Sequence, residues 1–385
     1  MTYPRLLALL FLQPSFSYAL PERLNRQVAS PGGKRAVQSW YAQKDASWNL
    51  QVVSQPEELK DTCDLDFVYE STKGEGIYIY VLDTGVETGL HSPTGPEFPH
   101  RLPSLQTWAS TAYNKLPETD DNELSHGTGM ASLALGQQNG VAKGATLISV
   151  KHEENLDDVG PVFGKVHADL VKNKDRQGKS IVLCATHDPY PLIDPNDWPV
   201  DDEEVLEWVQ WKEETKKWLD KIMNMGVPIV VPAGNEALQP ERAKVDFWPS
   251  SFSSDDFPLI VVGATDADNV RYAKSQTGPQ VTAYAPGQNV VTFNKAGILE
   301  EVSGTSYASA LVAGLIAGFM SQETPPWQSG LQGRARVAEI RRFIKEDGKS
   351  GWKRPNVNGK TAERVIWNGA TKKNHEEAVV DPGAC

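Results

Sequence analysis

Four short stretches of this 385-residue chain place side chains able to move protons or make covalent bonds beside glycines and at the ends of regular elements. The first, Ile79-Tyr80-Val81-Leu82-Asp83-Thr84-Gly85, reads as a buried strand ending in a carboxylate and a glycine turn. In an open parallel sheet functional groups collect at the carboxyl ends of the strands, and Asp83 falls there. The second, Ser125-His126-Gly127-Thr128-Gly129-Met130-Ala131-Ser132, sets a histidine at the start of a small-residue helix, and its glycines let another backbone come close. The third, Val302-Ser303-Gly304-Thr305-Ser306-Tyr307-Ala308-Ser309-Ala310, delivers a serine to the N-terminus of an apolar helix. Free N–H groups and the helix dipole favour negative charge on a carbonyl oxygen at such a point. The fourth, Val231-Pro232-Ala233-Gly234-Asn235-Glu236, ends another buried strand with an amide that can donate a hydrogen bond to an oxyanion. Taken singly, each has a plain structural reading: a strand-terminal aspartate, a capping or core histidine, an N-cap serine, a left-handed-turn asparagine. Taken together they hold a nucleophile, a base, a carboxylate and an oxyanion donor.

Positioning four such groups requires a scaffold of strand ends. Apolar runs at Ile77–Leu82, Thr146–Val150, Ile181–Ala185, Pro228–Val231, Leu259–Val262 and Val281–Ala285 read as strands. Helical patterns at His126–Leu135, Phe163–Asn173, Glu203–Met225 and Ser306–Ser321 lie between several of them, and a further amphipathic helix at about Ala335–Lys345 precedes a polar tail. Strands apolar on both faces, alternating with helices, predict a mainly parallel sheet covered on both sides, a doubly wound three-layer α/β domain. A nucleotide-binding domain shares that architecture, but no glycine-rich phosphate loop with its lysine follows the first strand.

The formal charge of −12 argues against nucleic-acid or anionic-membrane partners, which require a positive surface. Arg5, the apolar run Leu6–Leu12 and Ser17-Tyr18-Ala19 form a secretory signal pattern, so residues 1–19 are expected to be a signal peptide and the protein to be secreted. Residues 20–45 are polar and broken by Pro31, Gly32 and Gly33, as in a short leader. The apolar run from Tyr307 to Met320 suits a helix inside a globular core rather than a membrane span. Cys184 falls in a strand and is expected to be a buried thiol; Cys63 and Cys385 could pair in a secreted chain, although nothing in their spacing favours it.

In the order Asp, His, Asn, Ser the four motifs resemble the subtilase family, and within it the proteinase K-like branch. The resemblance runs from Ala46-Ser47-Trp48-Asn49-Leu50, similar to a mature start, to Val365-Ile366-Trp367-Asn368-Gly369. It implies a subtilisin-like peptidase domain over residues 46–385, a serine endopeptidase acting on protein or peptide substrates through an acyl-enzyme on Ser306. His126 would move the proton, Asp83 would orient and stabilise the imidazolium, and Asn235 with the Ser306 N–H would hold the oxyanion. It also implies a monomer without cofactor or metal, and a substrate cleft lined by Gly160, Ala185, Thr186, His187, Asp188, Ala233 and Gly234.

Three departures stand out. Where family members carry a Ser-Leu-Gly-Gly-like segment, this chain has Ala185-Thr186-His187-Asp188-Pro189, so His187 and Asp188 would narrow or recharge the primary specificity pocket. Gly129 replaces the familiar histidine after His-Gly-Thr, and Ala310 a common proline, which would loosen the helix starts. The leader is shorter than the family's inhibitory prodomains. His187, Asp188 and the short leader motivate the alternative of a catalytically silent subtilisin-like protein that binds peptides or proteins.

Overall fold

The computed structural model describes residues 39–56, 65–92, 95–106, 119–120, 122–152, 156–185, 203–346, 351–352 and 365–381. The signal-peptide assignment (1–19), Cys63, Cys385, and Thr186, His187 and Asp188 lie outside the described residues. In chain order the main elements are β1 (Trp40–Gln43), α1 (Trp48–Ser54), β2 (Phe67–Glu70), β3 (Tyr78–Asp83), β4 (Leu105–Gln106), α2 (His126–Leu135), β5 (Thr146–Lys151), α3 (Leu156–Lys172), β6 (Ser180–Cys184) and α4 (Glu203–Met223). There follow β7 (Ile229–Pro232), β8 (Ile260–Thr265), β9 (Val281–Pro286), β10 (Val290–Phe293), β11 (Leu299–Val302), α5 (Thr305–Met320), α6 (Gly333–Glu346), β12 (Gly351–Trp352), β13 (Val365–Ile366) and β14 (Val379–Val380).

Nine strands form one sheet in the order β12-β13-β9-β8-β7-β6-β3-β5-β4. Every neighbouring pair is parallel except the edge pair β12–β13. From β3 the chain passes to the edge strand β4 and back to β5 on one side, then crosses over and builds outward through β6 to β9 on the other. The carboxyl ends of β3 and β6 therefore flank a topological switch point, where open α/β sheets place their sites. This is the expected doubly wound α/β fold, and the described elements of the main sheet all belong to one compact unit, Gln38–Cys385.

Period-2 alternation divides each strand between two cores. Ile79 and Val81 of β3 join Ile181, Leu183, Val230, Ile260 and Val262 under α2 and α5. Tyr80 and Leu82 join Val182, Cys184, Ile229, Val231 and Val261 on the face covered by α3 and α4. Cys184 is accordingly a buried thiol. Helix α5 is buried along nearly its whole length. Side chains such as Leu311 and Ile316, fully enclosed, are each worth about 1.5–3 kcal/mol of transfer free energy. Among the described residues no helix is long and apolar enough to cross a membrane.

Helix α2 has the bounds expected from the sequence, and strands and other helices shift at their ends. The largest shift is in α3, which starts at Leu156 and runs through Pro161 rather than starting after it. Pro161 is exposed and has no N–H, so the helix forgoes one backbone hydrogen bond there. Strand β1 falls inside the 20–45 stretch read as a leader; it pairs antiparallel with β2 and parallel with β14, which ties both ends of the described chain together. The hairpin β10–β11 is not among the elements that the sequence pattern predicts.

Candidate active site

Asp83 is the last residue of β3, and its carboxylate is 3% exposed. His126 is the first residue of α2, and its Nδ1 lies 2.9 Å from Asp83 Oδ1 and 3.0 Å from Oδ2. A carboxylate only accepts, so Nδ1 carries the proton and Nε2 of the neutral ring is left as the acceptor. Burial by itself would raise the Asp83 carboxyl. The charge and hydrogen bond of His126, the Thr84 N–H and nearby His152 outweigh it and hold the group below the usual carboxylate range. Gly127 is required for this approach, because any side chain there would strike the Gly85 carbonyl and Asp83.

A second carboxylate, Asp120, fastens strand end to helix start. Its Oδ2 accepts the Thr128 N–H at 2.8 Å and the Thr128 hydroxyl at 2.7 Å. Its Oδ1 accepts the Thr84 hydroxyl at 2.8 Å and the Asn122 N–H at 3.1 Å. Ser125, at the N-cap position, makes no side-chain cap bond, so Asp120 supplies the capping oxygen from outside the helix.

Asn235 follows the end of β7. Gly234 before it has φ +106°, and Phe247 and the Gln276 amide stand where a Cβ would be, so only glycine fits. The Gln276 N–H donates to the Gly234 carbonyl at 2.9 Å. The Gly234 N–H donates to Thr305 Oγ1 at 3.1 Å, and the Thr305 N–H donates to Asn235 Oδ1 at 2.9 Å. A backbone N–H is an unambiguous donor, so this contact fixes the amide with its oxygen toward Thr305 and its Nδ2 turned away as a donor.

Ser306 is the second residue of α5, buried to 5% exposure. Its N–H belongs to the first turn, where helical carbonyls provide no acceptor. Gly304 N–H donates to the Gly287 carbonyl at 2.7 Å and the Ser309 hydroxyl to the Ser306 carbonyl at 2.6 Å, clamping the turn on both sides of the serine. The ring of Tyr307 lies 5.3 Å from that of His126, so the first turn of α5 abuts the imidazole. The contacts of His126 with Asp83, of Tyr307 with His126 and of Thr305 with Asn235 thus join the strand end, the loop and the two helix starts.

Of the cleft residues, Ala185, Ala233 and Gly234 are buried at the carboxyl ends of β6 and β7. Gly160 lies buried in α3, with Glu214 and Thr215 of α4 3.5 Å from where its Cβ would stand. Asp120, Thr305 and Gln276 are the supporting residues that motif reading passed over. An acidic run just before His126 was the available sign for Asp120.

Residues 74–347 match the family model for the subtilase family, Peptidase_S8. The chain is 28% identical over 340 residues to "Subtilisin-like protease 2" of Trichophyton tonsurans, covering 86% of this chain and 68% of that protein. It is 30% identical over 327 residues to the protein of the same description from Trichophyton verrucosum, covering 82% and 68%. In fold it is similar to the crystal structure of a cold adapted subtilisin-like serine proteinase, with TM-score 0.60 and 19% identity over 84% of this chain and 98% of that one.

Proposed function

Because the chain belongs to the subtilase family and is a serine-type endopeptidase, we propose that it is secreted and hydrolyses peptide bonds in proteins through an acyl-enzyme on Ser306. His126 Nε2 accepts the Ser306 hydroxyl proton as Oγ attacks the scissile carbonyl, then returns it to the leaving amine. Asp83 keeps Nδ1 protonated and balances the imidazolium that forms. The Asn235 amide and the Ser306 N–H donate to the oxygen as it becomes negative, and a water repeats the attack to release the acid. The observation that carries this reading is the contact of His126 Nδ1 with both oxygens of a buried carboxylate held below its usual range.

A serine-directed phosphonylating probe should label Ser306 of the folded protein, with no label on Ser306→Ala. Casein hydrolysis should fall in that variant by a factor on the order of 10⁶ in kcat. A wild type that takes no label and digests no casein would overturn the reading and leave the non-catalytic peptide binder, and a Ser306→Ala protein that digests casein as the wild type does would show that Ser306 is not the nucleophile.

A further inference from the structure

Tyr307 is the neighbour of the nucleophile, yet none of the steps above uses it. Its side chain is enclosed, 6% exposed, and its ring meets the His126 ring at 5.3 Å with a 53° tilt. Two observations show that the ring is seated there. The first is Gly129, one turn along α2 from His126. A Cβ on Gly129 would stand 3.3 Å from Tyr307 Cε1 and 3.2 Å from Thr292 Cγ2, tighter than side chains normally pack. Helix α2 thus lacks a side chain where the tyrosine ring needs the space. The second is Thr292 of β10, whose hydroxyl donates to the Gly129 carbonyl at 3.0 Å and fixes the far wall of the same slot. The phenol itself is kept neutral, because burial first, and then the carboxylates of Asp83, Glu300 and Asp120, push its pKa well up.

Asp83 anchors the imidazole through its Nδ1 edge, and the alignment of Nε2 also depends on the walls against the ring. A swing of about 1 Å at Nε2 is enough to cost on the order of 10²-fold in a proton transfer that depends on alignment. The side chain of His126 is 24% exposed, so the protein covers most of it, and the tyrosine ring is one of those walls.

We propose that Tyr307 is a positioning residue: its ring, admitted by the missing side chain at Gly129, holds the His126 imidazole in line between Asp83 and Ser306. The inference rests on the peptidase reading above. Gly129 and Tyr307 form a matched pair, so the departure at residue 129 fits the ring to its seat and does not merely loosen the helix start.

The test compares Tyr307→Phe, Tyr307→Ala, Gly129→Ala and the double variant Gly129→Ala/Tyr307→Ala on one peptide substrate, after phosphonyl labelling of wild-type Ser306. Tyr307→Phe keeps the ring and should stay within about twofold of wild type. Tyr307→Ala should lose roughly 10- to 100-fold in kcat with KM within about twofold. Gly129→Ala, which pushes the ring aside, should lose kcat in the same way, and the double variant should be no worse than Tyr307→Ala alone. A Tyr307→Ala protein with less than threefold loss, a loss that falls on KM, or additive single effects overturns the proposal. If Tyr307→Ala does not fold, Tyr307→Leu, which keeps most of the volume, takes its place under the same criteria. A wild type that takes no label and digests no casein would instead overturn the peptidase reading itself.

Discussion

Helix α2 has a buried carboxylate at each end, and the two behave in opposite ways. At the N-terminal end Asp83 is held below the usual carboxylate range; at the C-terminal end Glu97, fully buried, is pushed above it. Burial is the largest influence on both and raises both. Asp83 escapes because an imidazole bonds it directly through both oxygens. Glu97 receives neutral donors, the Ser132 hydroxyl at 2.9 Å and the Gln138 N–H at 3.1 Å. The nearest ammonium, Lys143, spends its hydrogen bonds on the Gln137 and Gln138 carbonyls at 2.9 and 3.4 Å. Lys143 in turn is brought down to about 7, chiefly by burial, against the pull of Glu97 and Asp381. The helix dipole works in the same direction, favouring a carboxylate at the N-terminus and disfavouring one beside the last turn. The lesson is that, for two carboxylates that burial raises alike, contact geometry and helix polarity decide the direction of the net shift.

The sharpest way to break this contrast is to neutralise each carboxylate in turn. Asp83→Asn presents an amide to Nδ1 and allows the ring tautomer that leaves Nε2 protonated, so kcat should fall by about 10⁴-fold with the fold intact. Glu97→Gln should leave kcat within about twofold of wild type. Steady-state assays on a peptide substrate with circular dichroism as the fold control check both, and a large kcat loss in Glu97→Gln would show that the two ends of α2 are not separable.

How much of this was legible in the sequence differs along the chain. The strand–helix alternation and the groups Asp83, His126, Asn235 and Ser306 could be read because each sits at the end of an apolar run beside a glycine. The hairpin β10–β11 was missed because β11, Leu299-Glu300-Glu301-Val302, is largely exposed and carries two adjacent acids, so it lacks the buried pattern of a core strand. Asp120 was missed because the acid that caps α2 is six residues before its first helical residue, and only the fold of that loop brings it to the Thr128 N–H. The Tyr307–Gly129 fit could not be read either: it is a contact between two helices far apart in sequence, and the sequence displays only a small residue and a large one.

At the C-terminal end of α2 the prediction concerns stability. Lys143→Met leaves the Gln137 and Gln138 carbonyls without their donor, and should cost about 1–3 kcal/mol at pH 8 by urea denaturation. The pH dependence has a definite sign. A lysine depressed from 10.5 to about 7 contributes stability that is complete above 10.5 and lost as the pH falls through about 7. A glutamate raised from 4.5 contributes stability that is present below 4.5 and lost as the pH rises through its folded value. Wild type should therefore gain stability from pH 7 to 10, and Lys143→Met should not; an equal gain in both would mean that Lys143 does not titrate there.

The smallest effect should come from Asp120, which supports the N-terminal end without touching the imidazole. Asp120→Ala removes the acceptor for the Thr128 N–H and for the Thr84 and Thr128 hydroxyls, and should cost about 1–2 kcal/mol in urea denaturation, as other helix-capping side chains do. Asp120→Asn keeps one carbonyl oxygen; with that oxygen on Thr128 the cap is kept, the Thr84 hydroxyl contact is exchanged and the Asn122 N–H loses its acceptor. That variant should lose less than half as much stability as the alanine. Its kcat should stay close to wild type, because the Thr84 N–H bond to Asp83 at 2.9 Å does not involve residue 120. If Asp120→Asn instead loses as much kcat as Asp83→Asn, then residue 120 belongs to the charge system of the site, and the N-terminal end of α2 holds two functional carboxylates rather than one with a structural brace.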